Sequence, residues 1–214
     1  MTNDAMIPTE HTHLGPDASQ RAMGVVIGAA VGDALGAPFE FGDAGQYGAR
    51  FPQPVLGGRG EMIGGGGFGW APGEFTDDTQ MAMVLAEVLV RHRGYDPDTL
   101  WAWFRSWART ARDVGMRTAS SLAHADWRSV PSDARNGAGN GALMRAFPLA
   151  LAFLGADVDT RQDVVLAQAA LTHPDPAAGW GAWLAVEMMC AGVLGDDPFV
   201  ALATGTGSVP SFCN

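Results

Sequence analysis

The sequence contains no lysine; its 13 basic residues are all arginine, set against 23 acids for a formal net charge of −10. Without lysine a Walker-type loop is excluded, because that loop needs an amine over the phosphates. The acidic balance also argues against a nucleic-acid backbone as partner, since phosphate binding wants a basic face. Cysteine is scarce, with Cys190 and Cys213 alone. Two cysteines so placed make no disulfide framework, and a cytoplasmic setting is expected. The polar start "MTNDAMIPTEHTHLGPDASQ" shows no secretory signal. The apolar run from Ala22 to Pro38 is broken by Asp33 and spaced by glycines, which reads as too short and too polar for a membrane span. Strand-like alternation is missing, as are G-x-S-x-G and any local cysteine signature of a nucleophile. These absences leave a soluble, all-α protein whose chemistry does not run through serine or cysteine.

What is present reads as a series of helices. Residues 1–18 are expected to form a flexible tail, in which His11 and His13 make an H-x-H pair with no further ligands nearby. Residues 19–214 read as one helical domain, with its first helix from Gln20. Gly24, Gly28, Gly32 and Gly36 recur every fourth residue and line one helical face without side chains. Such a face costs helix propensity, and close packing against another element or a ligand is the usual compensation. Residues 42–73 read as loop, rich in Gly and Pro. Helices are then expected from Thr76 to about His92, from Pro97 with Asp96 as N-cap, from about Arg117 to Trp127, from about Asp159 to Leu171, and from Ala177 to Leu194. In "ALMRAFPLALAFL" Pro148 should kink or break a helix. Trp101, Phe104 and Trp107 are spaced as core residues.

The stretch "EFTDDTQMAM" carries the sharpest chemistry. On a helix Asp77 and Asp78 continue the apolar stripe of Met81, Val84, Leu85 and Val88. One reading is a helix start, with Thr76 as cap and both acids favouring the positive end of the dipole. Two adjacent carboxylates facing a core, however, repel each other and are costly to desolvate. With no lysine to neutralise them, a hard divalent cation bound by Thr76, Asp77 and Asp78 is the better fit, Mg²⁺ or Mn²⁺.

Other segments are less specific. "GGGGFG", residues 64–69, formally satisfies a dinucleotide fingerprint, but no strand precedes it; a flap beside a site or a plain linker are the two readings. In "RNGAGNGALMR" Gly137, Gly139 and Gly141 allow close backbone approach to a ligand, or a simple helix-to-helix turn. His173, in "LTHPDP", falls just after a helix and would suit its last carbonyls.

Four segments, "GAAVGDALGAPFEF", "FTDDTQMAMVLAE", "GNGALMRAFPLAL" and "LTHPDPAA", occur in the order seen in ADP-ribosylglycohydrolases, and the chain resembles that family over about residues 20–195. The activator of ADP-ribosylated dinitrogenase reductase and the J-type lens crystallins look similar. The resemblance implies an all-α fold, two Mg²⁺ or Mn²⁺ ions, and removal of ADP-ribose from protein side chains or small conjugates. It implies that Thr76, Asp77 and Asp78 are metal ligands and that Glu40 and Asp78 are the catalytic carboxylates. Gly139, Asn140 and Gly141 would sit against the diphosphate and ribose, and His173 would line the ribose pocket.

The sequence also departs from the family pattern. The family completes its metal site with a D-x-D-T motif well downstream of the T-H pair, and this chain ends at "GTGSVPSFCN" without one. Its single D-x-D-T, residues 157–160, precedes His173 and reads as a helix cap. The expectation is a domain lacking its C-terminal helices, with one ion or none and with uncovered apolar faces that would favour a homodimer. An ADP-ribose-binding or crystallin-like structural protein without turnover is the alternative.

Overall fold

Proline and aspartate mark where most of the helices begin. In the structure, a computed structural model that describes residues 5–8, 14–53, 61–131 and 138–205, α1 (Pro16–Gly36) starts on a proline. α4 (Pro97–Trp107) follows Asp96, whose carboxylate accepts from the amides of Asp98 and Thr99. α7 (Val158–Ala170) follows Asp157, and α8 (Pro176–Leu194) follows Asp175, each capping by the same device. A proline at the first helical position loses no hydrogen bond, because that amide has no partner inside the helix. The remaining α-helices are α2 (Gln46–Arg50), α3 (Asp77–His92), α5 (Met116–Leu122), α6 (Phe147–Ala152) and α9 (Pro198–Gly205). Short 3-10 turns occupy Ala37–Phe39, Trp127–Ser129 and Asn140–Ala142. Among the described residues there is no strand, only isolated bridges, and the fold is all-α. His11, His13, Gly137 and Cys213 lie outside the described residues.

Several boundaries differ from those read off the sequence. The expected tail is structured in part: the amide of Ile7 donates to Arg93 O and that of Tyr95 to Ala5 O, and α1 begins at Pro16. The segment expected as loop before Thr76 contains the short α2. The helix expected from Arg117 to Trp127 ends at Leu122. Pro148 does not kink a helix; it sits in the first turn of α6 and starts one, where its missing N–H costs nothing.

The core is built by α8 packing against α1, α6, α7 and α9, and by α3 packing against α1, α4 and α6. Met81, Leu85, Val88, Leu100, Phe104, Leu149, Phe153, Val164 and Val186 are fully buried there. Trp101 is buried too, while half-buried Trp107 donates its indole N–H to Gln80 Oε1 over 2.8 Å. Arg161 ties α7 to α8 through a two-point ion pair with Glu187.

One face of α1 is left out of this packing. Met23, Val26, Ile27 and Val31 are exposed, and among the described residues nothing beyond the helix's own neighbouring backbone lies within 4 Å of where a Cβ would stand on Gly24, Gly28, Gly32 or Gly36. The close packing expected of that glycine face is therefore absent among the described residues. By length and composition alone, Pro16–Phe39 and α8 are long and apolar enough to cross a membrane, which corrects the reading of the first as too short and too polar. A Gly28→Ala substitution, with open space and ordinary φ, should stabilise the chain by about 0.5–1 kcal/mol by removing backbone freedom from the unfolded state. Urea unfolding of the two proteins checks this; a loss of stability would mean that something packs on that face.

Candidate functional site

Asp33, the single acid within an otherwise apolar stretch of α1, decides how the Thr-Asp-Asp turn is held. Its Oδ2 accepts from the amides of Thr76 and Thr79 at 2.9 and 3.1 Å and from the Thr79 hydroxyl at 2.7 Å. Its Oδ1 accepts from the Thr76 hydroxyl at 2.7 Å. Thr76 stands at the N-cap position of α3 but makes no side-chain cap; the cap comes from another helix, 43 residues earlier. That corrects the reading of Thr76 as the capping side chain. Its hydroxyl is oriented by Asp33 and lies 3.3 Å from Asp77 Oδ1.

A cleft of about 500 Å³ opens beside this turn. It is lined by Asp33 and Glu40 from the α1 end, Thr76, Asp77 and Asp78 from α3, Arg117 from α5, the loop 139–141, and His173. The residues assigned to the site from the family resemblance thus reach one cavity: Glu40, Thr76, Asp77, Asp78, Gly139, Asn140, Gly141 and His173. Asp33, Asp113 and Arg117 were not found by sequence reading. A charge inside an apolar helix could have flagged Asp33; Asp113 and Arg117 carry no comparable local signal.

The acids stand close enough to feel one another. Burial, then Asp113, Asp78 and Glu40, push Asp77 up to about 7. Burial, then Asp33, Glu40 and Asp113, push Asp78 up to about 7 as well. Glu40 and Asp113 are raised too, in each case first by burial and then by neighbouring acids. Asp113 Oδ2 is buried with no hydrogen-bond partner among the described residues. The set is all oxygen and of one sign, and among the described residues the charges that act on Asp77 and Asp78 are all acids, which is the donor chemistry of a hard divalent cation. Among the described residues no three His, Cys, Asp or Glu side chains are grouped as a ready metal cage.

Glu40 follows the 3-10 turn Ala37–Phe39, and the glycine loop braces that turn. Gly65 and Trp70 exchange backbone hydrogen bonds of 2.8 Å, and Gly66 has φ of 70°. A Cβ on Gly66 would meet Ala37 O and Pro38 Cα at 2.9 Å, so only glycine lets the loop lie so near.

The opposite chemistry is found around 139–141. A Cβ on Gly141 would stand 2.5 Å from His173 Cε1 and 2.8 Å from Nε2, so the imidazole fills the space a side chain there would need. Arg117 donates its Nε–H to Thr172 O over 3.2 Å, while its Nη2 is buried without a partner among the described residues. A Gly141→Ala substitution should expel the ring and weaken cleft ligands by roughly tenfold or more, with the fold retained, as titration calorimetry with ADP-ribose would report. Unaltered affinity would detach His173 from the site. The D-x-D-T of residues 157–160 is a helix cap: Asp157 accepts from Thr160 N and Oγ1, both at 2.8 Å.

Known proteins resemble this chain in sequence and in fold. A curated relative, the ADP-ribosyl-[dinitrogen reductase] glycohydrolase of Rhodospirillum rubrum, is 37% identical over 166 residues, 76% of this chain and 54% of its own length. An ADP-ribosylarginine hydrolase Tri1 of Pseudomonas putida is 32% identical over 149 residues, 63% of this chain and 36% of its own. A solved structure, an ADP-ribosylglycohydrolase-related protein complex, superposes with a TM-score of 0.69 at 30% identity, covering 90% of this chain and 63% of that one. The chain spans about half the length, or less, of the curated relatives it matches. The family profile described as ADP-ribosylglycohydrolase matches residues 14–211, and the chain belongs to that family.

Proposed function

We propose that this cleft holds an ADP-ribose unit and that the chain hydrolyses its anomeric bond to a protein side chain or a related conjugate. The observation that carries the reading is the convergence of four separated segments on a single cavity with two kinds of lining. Carboxylates suit the positive charge that develops on a ribosyl carbon, and backbone amides with Arg117 suit a diphosphate. Relatives named for dinitrogen reductase and for ADP-ribosylarginine support a protein-bound, arginine-linked substrate.

Thr76, Asp77 and Asp78 are the residues that would hold Mg²⁺ or Mn²⁺, and their crowded, raised carboxyls fit a cation as partner. Such an ion, when bound, supplies Lewis-acid polarisation and a template for the ribose hydroxyls. In the hydrolysis the bond from the anomeric carbon to the acceptor atom breaks, a bond from water oxygen to that carbon forms, and the acceptor leaves with a proton. Glu40 and Asp78, both in the lining of the cleft, would take a proton from water or deliver one to the leaving atom. Asp33 keeps the Thr76 hydroxyl in place.

A second reading, ADP-ribose binding without turnover, is favoured by the lack of a three-ligand metal group among the described residues. Free ADP-ribose released from arginine- and serine-ADP-ribosylated protein, with Mg²⁺ and again with EDTA, separates the two. Mg²⁺-dependent release is the expected result and its preferred substrate names the linkage. Binding without release would favour the second reading, and neither binding nor release by the folded chain would overturn both.

A further inference from the structure

Arg145 is fully buried, yet among the described residues no carboxylate pairs with it. Its Nε–H donates to Gln168 Oε1 at 3.0 Å, and its Nη2 donates to Gln168 O at 3.0 Å and Thr172 Oγ1 at 2.8 Å. The guanidinium stacks 4.7 Å from the centre of the Phe104 ring. Gln168 is itself fixed, because its Nε2 donates to Ala142 O over 3.0 Å. Thr172 Oγ1 lies 2.9 Å from His173 Nδ1. The Thr172 carbonyl accepts from Ser121 Oγ at 2.8 Å and from Arg117 Nε at 3.2 Å, so this backbone is pinned from both sides.

The direction of each hydrogen bond along this chain is forced. Arginine can only donate, so the Thr172 hydroxyl accepts from it. That hydroxyl has one proton, and His173 Nδ1 is its partner among the described residues. The reverse arrangement, Nδ1–H donating to Oγ1, would strand the hydroxyl proton on a fully buried residue, which is costly. Nδ1 therefore accepts, and the proton of a neutral ring resides on Nε2. The Nε2 edge is the one that faces the glycine turn: a Cβ on Gly139 would stand 3.2 Å from it and one on Gly141 2.8 Å. No protein acceptor bonds Nε2 among the described residues, and His173 lines the cleft.

We propose that Arg145 and Thr172 are positioning residues that lock His173 as the neutral Nε2–H tautomer, a fixed hydrogen-bond donor aimed at an acceptor oxygen of the substrate beside Gly139 and Gly141. The oxygen belongs to the ribose or diphosphate part of the ligand, and in naming it the inference rests on the functional reading above; the lock itself does not. Burial, then the charges of Arg145 and Arg117, lower the imidazole to about 4, so the ring stays neutral where the enzyme works. A ring held this way cannot accept from the ligand, which selects oxygen acceptors at that position and disfavours amino groups.

Long-range proton–nitrogen correlation on the ¹⁵N-labelled, ligand-free chain tests this directly, with the His173 signals assigned by a His173→Gln variant. The expected spectrum has a pyridine-type Nδ1 and a pyrrole-type Nε2, unchanged across neutral pH. A protonated Nδ1, or a ring that titrates near the ordinary histidine value, would overturn the proposal. Thr172→Val should mix the tautomers and weaken ADP-ribose by roughly tenfold, the worth of one oriented hydrogen bond, while Thr172→Ser restores both. Equal tautomers and affinities in the Val and Ser variants would also overturn it. The locked tautomer in a wild-type chain that ignores ADP-ribose would support the lock and sink the functional reading instead.

Discussion

Replacing both Asp77 and Asp78 by asparagine should abolish ADP-ribose release, by about a thousandfold or more, and at the same time raise the melting temperature at alkaline pH. The loss of activity follows from removing the two carboxylates that face the cleft from the head of α3. The gain in stability follows from their environment. Both acids titrate near 7 in the folded chain against 3.8 for the free group. Between those values the native state keeps protons that the unfolded chain has already released, so stability declines as pH rises from about 4 to about 7 and is flat beyond. Thermal melts at about pH 5.5 and about pH 8 should show the wild type more stable in acid, and the double variant should lose most of that difference. Mg²⁺ should raise the wild-type melting temperature at about pH 8 far more than at about pH 5.5, because an ion stabilises the native state only where the carboxylates are free to take it. Greater stability at pH 8 than at pH 5.5 without metal would mean the acids are already paired, and full turnover by the variant would end their proposed role.

Asp33→Ala should cost about 3 kcal/mol of stability, or about 6–12 °C of melting temperature for a chain of this size. Four donors lose their acceptor at once: the amides and hydroxyls of Thr76 and Thr79, all on residues that are buried. Stranding two buried amides is the main term, and relief of the repulsion felt by Asp78, Glu40 and Asp113 offsets part of it. Asp33→Asn keeps one acceptor oxygen and should lose about half as much. Turnover should fall in both, since the Thr76 hydroxyl is no longer aimed. A loss below about 1 kcal/mol by urea unfolding of Asp33→Ala would show that water replaces the carboxylate without penalty.

What the sequence disclosed here was governed by distance along the chain. The head of α3 was legible because two acids on an apolar stripe form a local contradiction, and α4 because Asp96 and Pro97 are a local start signal. The placement of Asp33 was not, because its partners lie 43 and 46 residues away and nothing around it points to them. Asp113 was hidden for the same reason: its neighbours in the cleft come from α1 and α3. Pro148 misled because a proline is read alike at a kink and at a helix start, and which applies depends on whether a turn precedes it. The glycine face of α1 gave a regular pattern that could serve an element or a ligand; among the described residues no element packs on it, while Gly32 and Gly36 line the cleft.

The hold of Asp33 on α3 bears on how this chemistry can be inherited or transplanted. A segment such as residues 74–89 carries every acid of the Thr-Asp-Asp turn, yet grafted onto another scaffold it would arrive without its cap and with its threonine hydroxyl unaimed. The smallest portable unit is therefore a pair of helices from distant parts of the chain, and recombination that separates them delivers the ligands but not the site.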